Sequence, residues 1–129
     1  QDIAKICLEH KIPLFVDSKK KDLSCFEGAI LKINEKEFRE TRRYPIKYEL
    51  VVTLGPAGAR WGGIQFGTTP CEVFDVSGAG DTFLAALVAE YLKTKSLEKA
   101  IEFANKCSRI VVQRFGTYSI TEEDVRGLR

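Results

Sequence analysis

Phe74-Asp75-Val76-Ser77-Gly78-Ala79-Gly80-Asp81-Thr82-Phe83 joins a strand-like apolar run, Cys71 to Phe74, to a long helical pattern that begins near Thr82. Gly-Ala-Gly at a helix start lets backbone N–H groups turn towards a ligand with no side chain in the way. The helix dipole adds positive potential at the same place, so the turn suits an anion, most naturally a phosphate. Asp81 falls in that first turn and would repel the same phosphate. The two features agree if the N–H groups hold phosphate while Asp81 takes a proton from a hydroxyl that attacks it. The competing reading is a Gly-rich strand-to-helix turn carrying two solvated acids, Asp75 and Asp81.

Working outward, helical and strand-like patterns alternate. Ile3, Ile6, Cys7 and Leu8 recur at helical spacing among Lys and Glu, which predicts an amphipathic opening helix. Pro13 to Asp17 is a short continuous apolar run, the pattern of a strand buried on both faces in a parallel sheet. Ala29 to Ile33 is a second strand, and Glu49 to Leu54 the clearest one. Between them, Asn34 to Arg43 is polar and predicts a short helix with a loop around Pro45. Gly55-Pro56-Ala57-Gly58 reads as a tight turn. Ala59 to Phe66 and Thr69 to Phe74 are expected to form a hairpin, with Gly62, Gly63 and Gly67 at its bends. After the decade the chain turns helical. Phe83, Leu84, Leu87, Val88, Tyr91 and Leu92 make one apolar stripe, and Ser96 caps a further helix that buries Leu97, Ile101, Ala104, Ile110 and Val111 and ends near Gly116. Thr121-Glu122-Glu123-Asp124 predicts a capped terminal helix. The alternation gives an α/β fold with a mainly parallel sheet flanked by helices, with helices from about Gly80 and about Leu97.

The 129 residues suffice for one domain with a real core, and 44% apolar with 29% charged residues is ordinary globular composition. A net charge of only +2 argues against a dedicated nucleic-acid or membrane surface. Lys19-Lys20-Lys21 is the one basic run, either a solvated patch or a contact for an anionic ligand. Cys7, Cys25, Cys71 and Cys107 lack metal-ligand spacing and predict reduced, mostly buried thiols of a cytoplasmic protein. No G-x-x-x-x-G-K-S/T occurs, nor a G-x-G-x-x-G after a strand, so P-loop and dinucleotide readings have no support. Ser77 has no G-x-S-x-G setting, and the single histidine, His10, suggests no triad.

The decade resembles the C-terminal signature of the PfkB (ribokinase-like) carbohydrate kinases, D-x-x-G-A-G-D, in which the small residues form an anion hole and the last aspartate is the catalytic base. On that resemblance Gly78, Ala79 and Gly80 supply the hole and Asp81 the base. Asp75 would help bind a monovalent cation such as K⁺, with Gly116-Thr117-Tyr118-Ser119 as the matching carbonyl-bearing stretch. Bracing of the loop is the other reading of Asp75. Phe15-Val16-Asp17-Ser18-Lys19 looks like the family's strand ending in Asp-Pro-Lys, with Ser18 in place of proline. Asn34-Glu35-Lys36-Glu37 matches its N-x-x-E motif, which implies that Asn34 and Glu37 organise the phosphates and a hydrated Mg²⁺. Independently, an amide and a carboxylate three residues apart share one helix face and can hold a hydrated cation against a triphosphate, although a solvated pair is the ordinary outcome.

Val52-Thr53-Leu54-Gly55-Pro56-Ala57-Gly58 resembles the family's strand and turn beneath the nucleotide. Ligands of open α/β sheets bind at the carboxyl ends of strands, where Thr53 and Gly55 fall. Gly58 either approaches the nucleotide or is needed for the turn itself. Phe103-Ala104-Asn105 matches the F-A-N segment near the adenine; Asn105 meets a base edge or serves as a buried structural amide. The resemblance covers residues 1–129 as the C-terminal, nucleotide-binding and catalytic half of a kinase domain. Glu102 to Thr117 most resembles the kinase domain of the heptose kinase/ADP-heptose synthase group.

The resemblance therefore implies ATP-dependent phosphoryl transfer to a sugar hydroxyl, on a heptose phosphate, with Mg²⁺ and K⁺ as cofactors. Ribose, fructose or a nucleoside is the alternative acceptor, and a nucleotide-binding or interaction module without turnover is the rival class. In the family the sugar-gripping motifs lie in the N-terminal half. Gln1 and the residues after it read as the middle of an α/β unit. The expectation is thus a piece of a longer protein, inactive alone, which self-associates or pairs with an N-terminal-half polypeptide. A continuous reading frame upstream of Gln1 with a Gly-Gly-Asn-rich motif would favour the kinase; a start close to Gln1 would favour the module.

Overall fold

Short runs rich in Val, Ile and Leu form the sheet of this computed structural model, which describes residues 2–67, 79–112 and 122–128. The chain divides into two compact units, Gln1–Gln65 and Phe66–Arg129. In the first unit, helix α1 (Asp2–Glu9) precedes strand β1 (Phe15–Val16). Then follow β2 (Ile30–Asn34), the short helix α2 (Glu35–Glu40) and β3 (Glu49–Thr53). The hairpin strands β4 (Ala59–Trp61) and β5 (Ile64–Phe66) complete a sheet of order β1-β2-β3-β4-β5. β1, β2 and β3 are parallel, with Ile30 opposite both Phe15 and Glu49, and Asn34 opposite Thr53. β3 and β4 are antiparallel. The expected α/β architecture with mainly parallel strands is therefore present, as a mixed sheet whose parallel β1–β3 are extended by an antiparallel hairpin.

Central strands carry the core. Ile30, Leu31, Lys32 and Ile33 of β2 are all buried, the two-faced burial expected of a parallel-sheet interior. Leu23, Ala29, Leu31, Ile33 and Val52 form one cluster, with Leu14, Val16, Phe26 and Leu50 packed around it. β1 departs from expectation. It is the outermost strand of the sheet among the described residues, and both its residues are only half-buried. The opening helix also differs from its pattern: Ala4 is buried, whereas Ile3, Ile6 and Leu8 are at least half exposed. A hairpin forms within the first of the two expected segments. It turns at Gly62-Gly63, with Gly62 at φ 59°, so both its strands lie within residues 59–66. The proposed partner Thr69 to Phe74 lies outside the described residues. The cysteines also depart from expectation, since Cys107 is buried but Cys7 is half-buried and Cys25 exposed.

The second unit contains two long helices, α3 (Ala79–Thr94) and α4 (Leu97–Val112), followed by α5 (Glu122–Leu128). α3 and α4 have equal length and a two-residue connection, Lys95-Ser96, so they pack as an antiparallel pair. Ser96 caps α4 as expected, its Oγ accepting from Lys99 N at 3.2 Å. Phe83, Ala86 and Leu87 of α3 are buried, as are Leu97, Ala100, Ile101, Ala104, Cys107 and Val111 of α4. Leu92, expected on the apolar stripe of α3, is half exposed. Among the described residues, no helix is long and apolar enough to cross a membrane.

One buried charge was not anticipated. Lys32 is 5% exposed, and its Nζ donates to Asp17 Oδ2 at 3.2 Å. Asp17 follows β1 directly, and the β1–β2 register carries it opposite Lys32. Removing one partner of a buried pair leaves the other charge desolvated and costs about 3–5 kcal/mol. The Asp17 side chain is 28% exposed, so water compensates in part. Asp17→Ala is expected to destabilise the protein by about 1–3 kcal/mol in urea unfolding. Lys32→Met, which removes the buried charge itself, should cost less. The reverse order would show that the pair does not neutralise a buried lysine.

Candidate active site

In the first unit, the parallel strands bring two expected residues to their carboxyl ends. Asn34 closes β2, Thr53 closes β3, and the two are register partners. Asn34 is also the N-cap of α2: its Oδ1 accepts from Glu37 N at 2.8 Å, while Glu37 Oε1 accepts from Asn34 N at 2.9 Å. This reciprocal capping box satisfies two helix-end donors. The N-x-x-E spacing therefore has a local structural use as well as the expected cation role. Asn34 is exposed and Glu37 half-buried. Thr53 Oγ1 donates to Ile33 O at a long 3.4 Å, which ties the ends of β2 and β3 together.

The turn after β3 is a single 3-10 turn, Gly55–Ala57. Gly55 lies at φ 61°, and Gly58 at φ 101° with ψ −127°. An L side chain is strained at both positions, and the Gly58 combination is open only to glycine. Leu54 N donates to Gly58 O at 2.8 Å and Gly58 N to Gly55 O at 3.1 Å, closing the turn. Backbone geometry thus accounts for both glycines without a ligand.

In the second unit, Ala79, Gly80 and Asp81 form the first turn of α3. N–H groups of a helix's first turn have no intrahelical acceptor and are free to meet an anion. Gly80 and Asp81 are exposed, and among the described residues no ion pair involves Asp81. An exposed carboxylate in that turn is open to a substrate hydroxyl. Gly78, Asp75 and the Gly116 to Ser119 stretch lie outside the described residues. Asn105 on α4 is 7% exposed, and its Nδ2 donates to Phe66 O at 3.0 Å. Its amide thus serves the main chain, the structural alternative that the sequence left open. Ser108, three residues on, donates from Oγ to Ala79 O at 3.1 Å.

Two residues near these elements escaped the sequence reading. Lys32 had a usable signal, a lone cation inside the apolar run Ala29 to Ile33. Ser108 had none, since a serine in a helical pattern is unremarkable until its tertiary acceptor is known. Among the described residues, no cluster of three or more His, Cys, Asp or Glu side chains could hold a metal by itself.

Comparison with known proteins gives the same architecture an ancestry. Residues 1–124 match the pfkB family carbohydrate kinase pattern. Two curated relatives, each named bifunctional protein HldE, come from a Marinomonas species and a Nitratiruptor species. Both are 34% identical to this chain, over 95% and 88% of it but only 31% and 29% of their own length. The chain thus spans about a third of the curated relatives it matches. Among solved structures, Arabidopsis thaliana ribokinase complexed with ribose and ATP superposes with a TM-score of 0.73 at 25% identity, over 89% of this chain and 46% of that one. Escherichia coli phosphofructokinase-2, in complex with substrates and products, reaches a TM-score of 0.77 at 21% identity, over 98% and 50%. Sequence match, sheet order and the Ala79-Gly80-Asp81 helix start agree, and the chain belongs to the pfkB family of carbohydrate kinases.

Proposed function

We propose that this chain is the nucleotide-binding, catalytic part of an enzyme that transfers the γ-phosphoryl group of ATP to a sugar hydroxyl, on a heptose phosphate. The observation that carries the reading is an exposed aspartate in the first turn of α3, directly after Ala79 and Gly80. In the proposed step the sugar oxygen attacks the γ-phosphorus, the bond to the ADP oxygen breaks, and the hydroxyl proton passes to Asp81. The N–H groups of Gly78 to Asp81 stabilise charge developing on the transferred group. Thr53, Gly55, Gly58 and Asn105 are assigned to the nucleotide side, the last two as shapers of its backbone setting. Identity to the HldE proteins supports the heptose acceptor; ribose, fructose and nucleosides are the alternatives within the family.

Asn34 and Glu37 suit magnesium, which binds through one or two carboxylates, several waters and substrate phosphates. The capping box occupies Glu37 Oε1 and leaves the second carboxylate oxygen, Oε2, outside it. When bound, Mg²⁺ would neutralise charge on the triphosphate. Asp75 is assigned to a K⁺ site on the resemblance alone. Glu37→Gln separates cap from cation, because Gln also completes a capping box. Its thermal stability should stay within about 0.5 kcal/mol of the parent, as for a neutral surface change. The Mg²⁺ concentration for half-maximal turnover should rise about tenfold, the lower end for losing a metal-supporting group. An unchanged Mg²⁺ requirement would leave Glu37 with the cap alone.

The whole reading is tested by acceptor-dependent ADP release from the full reading frame that carries this chain, across heptose phosphate, ribose, fructose and nucleosides. ATP binding without release on any acceptor would favour a nucleotide-binding module.

A further inference from the structure

We propose that Lys19, Lys20, Lys21, Arg42 and Arg43 form one cationic patch at the carboxyl end of the parallel strands, which draws the triphosphate of ATP to the first unit. The proposal rests on the phosphoryl-transfer reading and adds to it how the nucleotide is captured. Lys19 to Lys21 follow β1, whereas Arg42 and Arg43 follow α2. The fold joins the two segments main chain to main chain. Arg42 N donates to Lys21 O at 2.7 Å, Arg43 N to the same oxygen at 3.3 Å, and Leu23 N to Arg43 O at 2.9 Å. A parallel bridge between Asp22 and Arg43 completes the junction. Two arms remote in sequence thus make one patch, and all five cations are exposed.

Position selects the ligand. β1 and β2 run parallel, and both arms lie beyond their carboxyl ends, where ligands of open α/β sheets bind. Asn34 closes β2 and caps α2, a helix of six residues. At about 1.5 Å per residue α2 spans about 9 Å. That is close to the Debye length of about 8 Å at physiological ionic strength. A triphosphate approaching Asn34 and Glu37 therefore passes through the field of the patch, and no direct contact is required.

The acids nearby do not cancel it. Asp17 is held by the buried Lys32 at 3.2 Å. Asp22 accepts from Ser24 N and Oγ, and its exposed pairing with Arg43 at 3.9 Å is of the weak surface kind. α2 adds Glu35, Glu37 and Glu40 against Lys36 and Arg39. With these included, seven cations stand against five acids, an excess equal to the net charge of +2 of the whole chain. The remaining residues thus carry no net positive charge, and the attraction for an anion is concentrated at one end of one sheet.

The experiment follows association of methylanthraniloyl-ATP, a fluorescent ATP analogue, with the full reading frame by stopped flow, from roughly 0.02 to 0.5 M NaCl. Lys21→Gln with Arg42→Gln removes one charge from each arm. Lys11→Asn with Lys47→Gln removes two exposed charges from segments that precede β1 and β3. Asn suits the first of these, since Lys11 lies at φ 56°. Association with the parent should slow steeply as salt rises. The Lys21/Arg42 pair should associate about tenfold more slowly at low salt, the lower end for focused charge, and converge with the parent at high salt. Its dissociation rate should stay within about twofold of the parent, because steering acts on encounter. Lys21→Arg with Arg42→Lys, which keeps both charges, should match the parent, and so should the Lys11/Lys47 pair.

Equal slowing by the two charge-removing pairs would overturn the proposal, since net charge rather than position would then set the rate. An unchanged rate in the Lys21/Arg42 pair would overturn it as well. If the parent takes up no ATP analogue, the kinase reading fails, and inorganic tripolyphosphate decides the patch. Binding by the parent at low salt that weakens about tenfold in the Lys21/Arg42 pair alone would uphold it as a polyphosphate-attracting surface. No tripolyphosphate binding would overturn it.

Discussion

Asp81→Asn should lower kcat by about 10²–10⁴-fold, the usual cost of losing a general base, while ATP affinity stays within a few-fold of the parent. The amide keeps the shape of the carboxylate and keeps the first turn of α3 intact, but it cannot accept the proton of the attacking hydroxyl. Affinity is spared because Asp81 repels rather than binds phosphate; removing its charge at the positive end of a sixteen-residue helix can even tighten ATP. That split between kcat and affinity is the diagnostic result. Single-turnover kinetics with saturating ATP, beside direct ATP titration, would show it. Near-normal turnover would move the base elsewhere, with Asp75 next in line. Asp75→Asn is expected to disturb nucleotide binding and turnover together, because its assigned role lies behind the anion hole rather than at the proton.

Legibility in the sequence followed the range of the interactions concerned. β2 and β3 were readable because Ile30 to Ile33 and Leu50 to Val52 are continuous apolar runs too short for helices, and burial of both faces is what such runs demand. The start of α3 and the Ser96 cap were readable because turn and cap chemistry acts within a few residues. Asn34 and Glu37 show how one spacing can carry two meanings. N-x-x-E is a capping box and a cation-organising pair alike, and the structure displays the cap. The β4–β5 hairpin has a local cause: Gly62-Gly63, expected as a bend, makes a two-residue turn between the strands.

Interactions between distant residues were not legible. Nothing near Asn105 or Ser108 announces a carbonyl at Phe66 or Ala79, since both acceptors are ordinary main-chain groups. Lys32 and Asp17 meet only through the register of β1 on β2. The exposed Ile3, Ile6 and Leu8 show the converse, a helical stripe that predicts a helix correctly but does not say what covers it.

Residues 1–129 alone should bind ATP weakly at most and release no ADP in response to a free sugar. This is the largest effect expected here, because holding two reactants in line is worth about 7–11 kcal/mol of the barrier in well-oriented intramolecular reactions. The residue proposed as base, Asp81, and two proposed for the anion hole, Ala79 and Gly80, stand in the first turn of α3. The family's sugar-gripping motifs belong to its N-terminal half, on the resemblance set out above, and this chain corresponds to 46% of the Arabidopsis ribokinase. A base without a positioned hydroxyl contributes its proton transfer to an encounter that rarely occurs. Among the described strands β1 is the outermost of the sheet. Ile3, Ile6, Leu8 and Ile12 add exposed apolar surface in the same unit. Self-association, or capture of a polypeptide carrying the complementary half, is therefore expected at micromolar concentration. Light scattering and coupled ADP release on residues 1–129 examine both expectations at once. Sugar-dependent ADP release from a stable monomer would place the acceptor site inside this chain and would require the sugar-binding residues to be sought among its own loops.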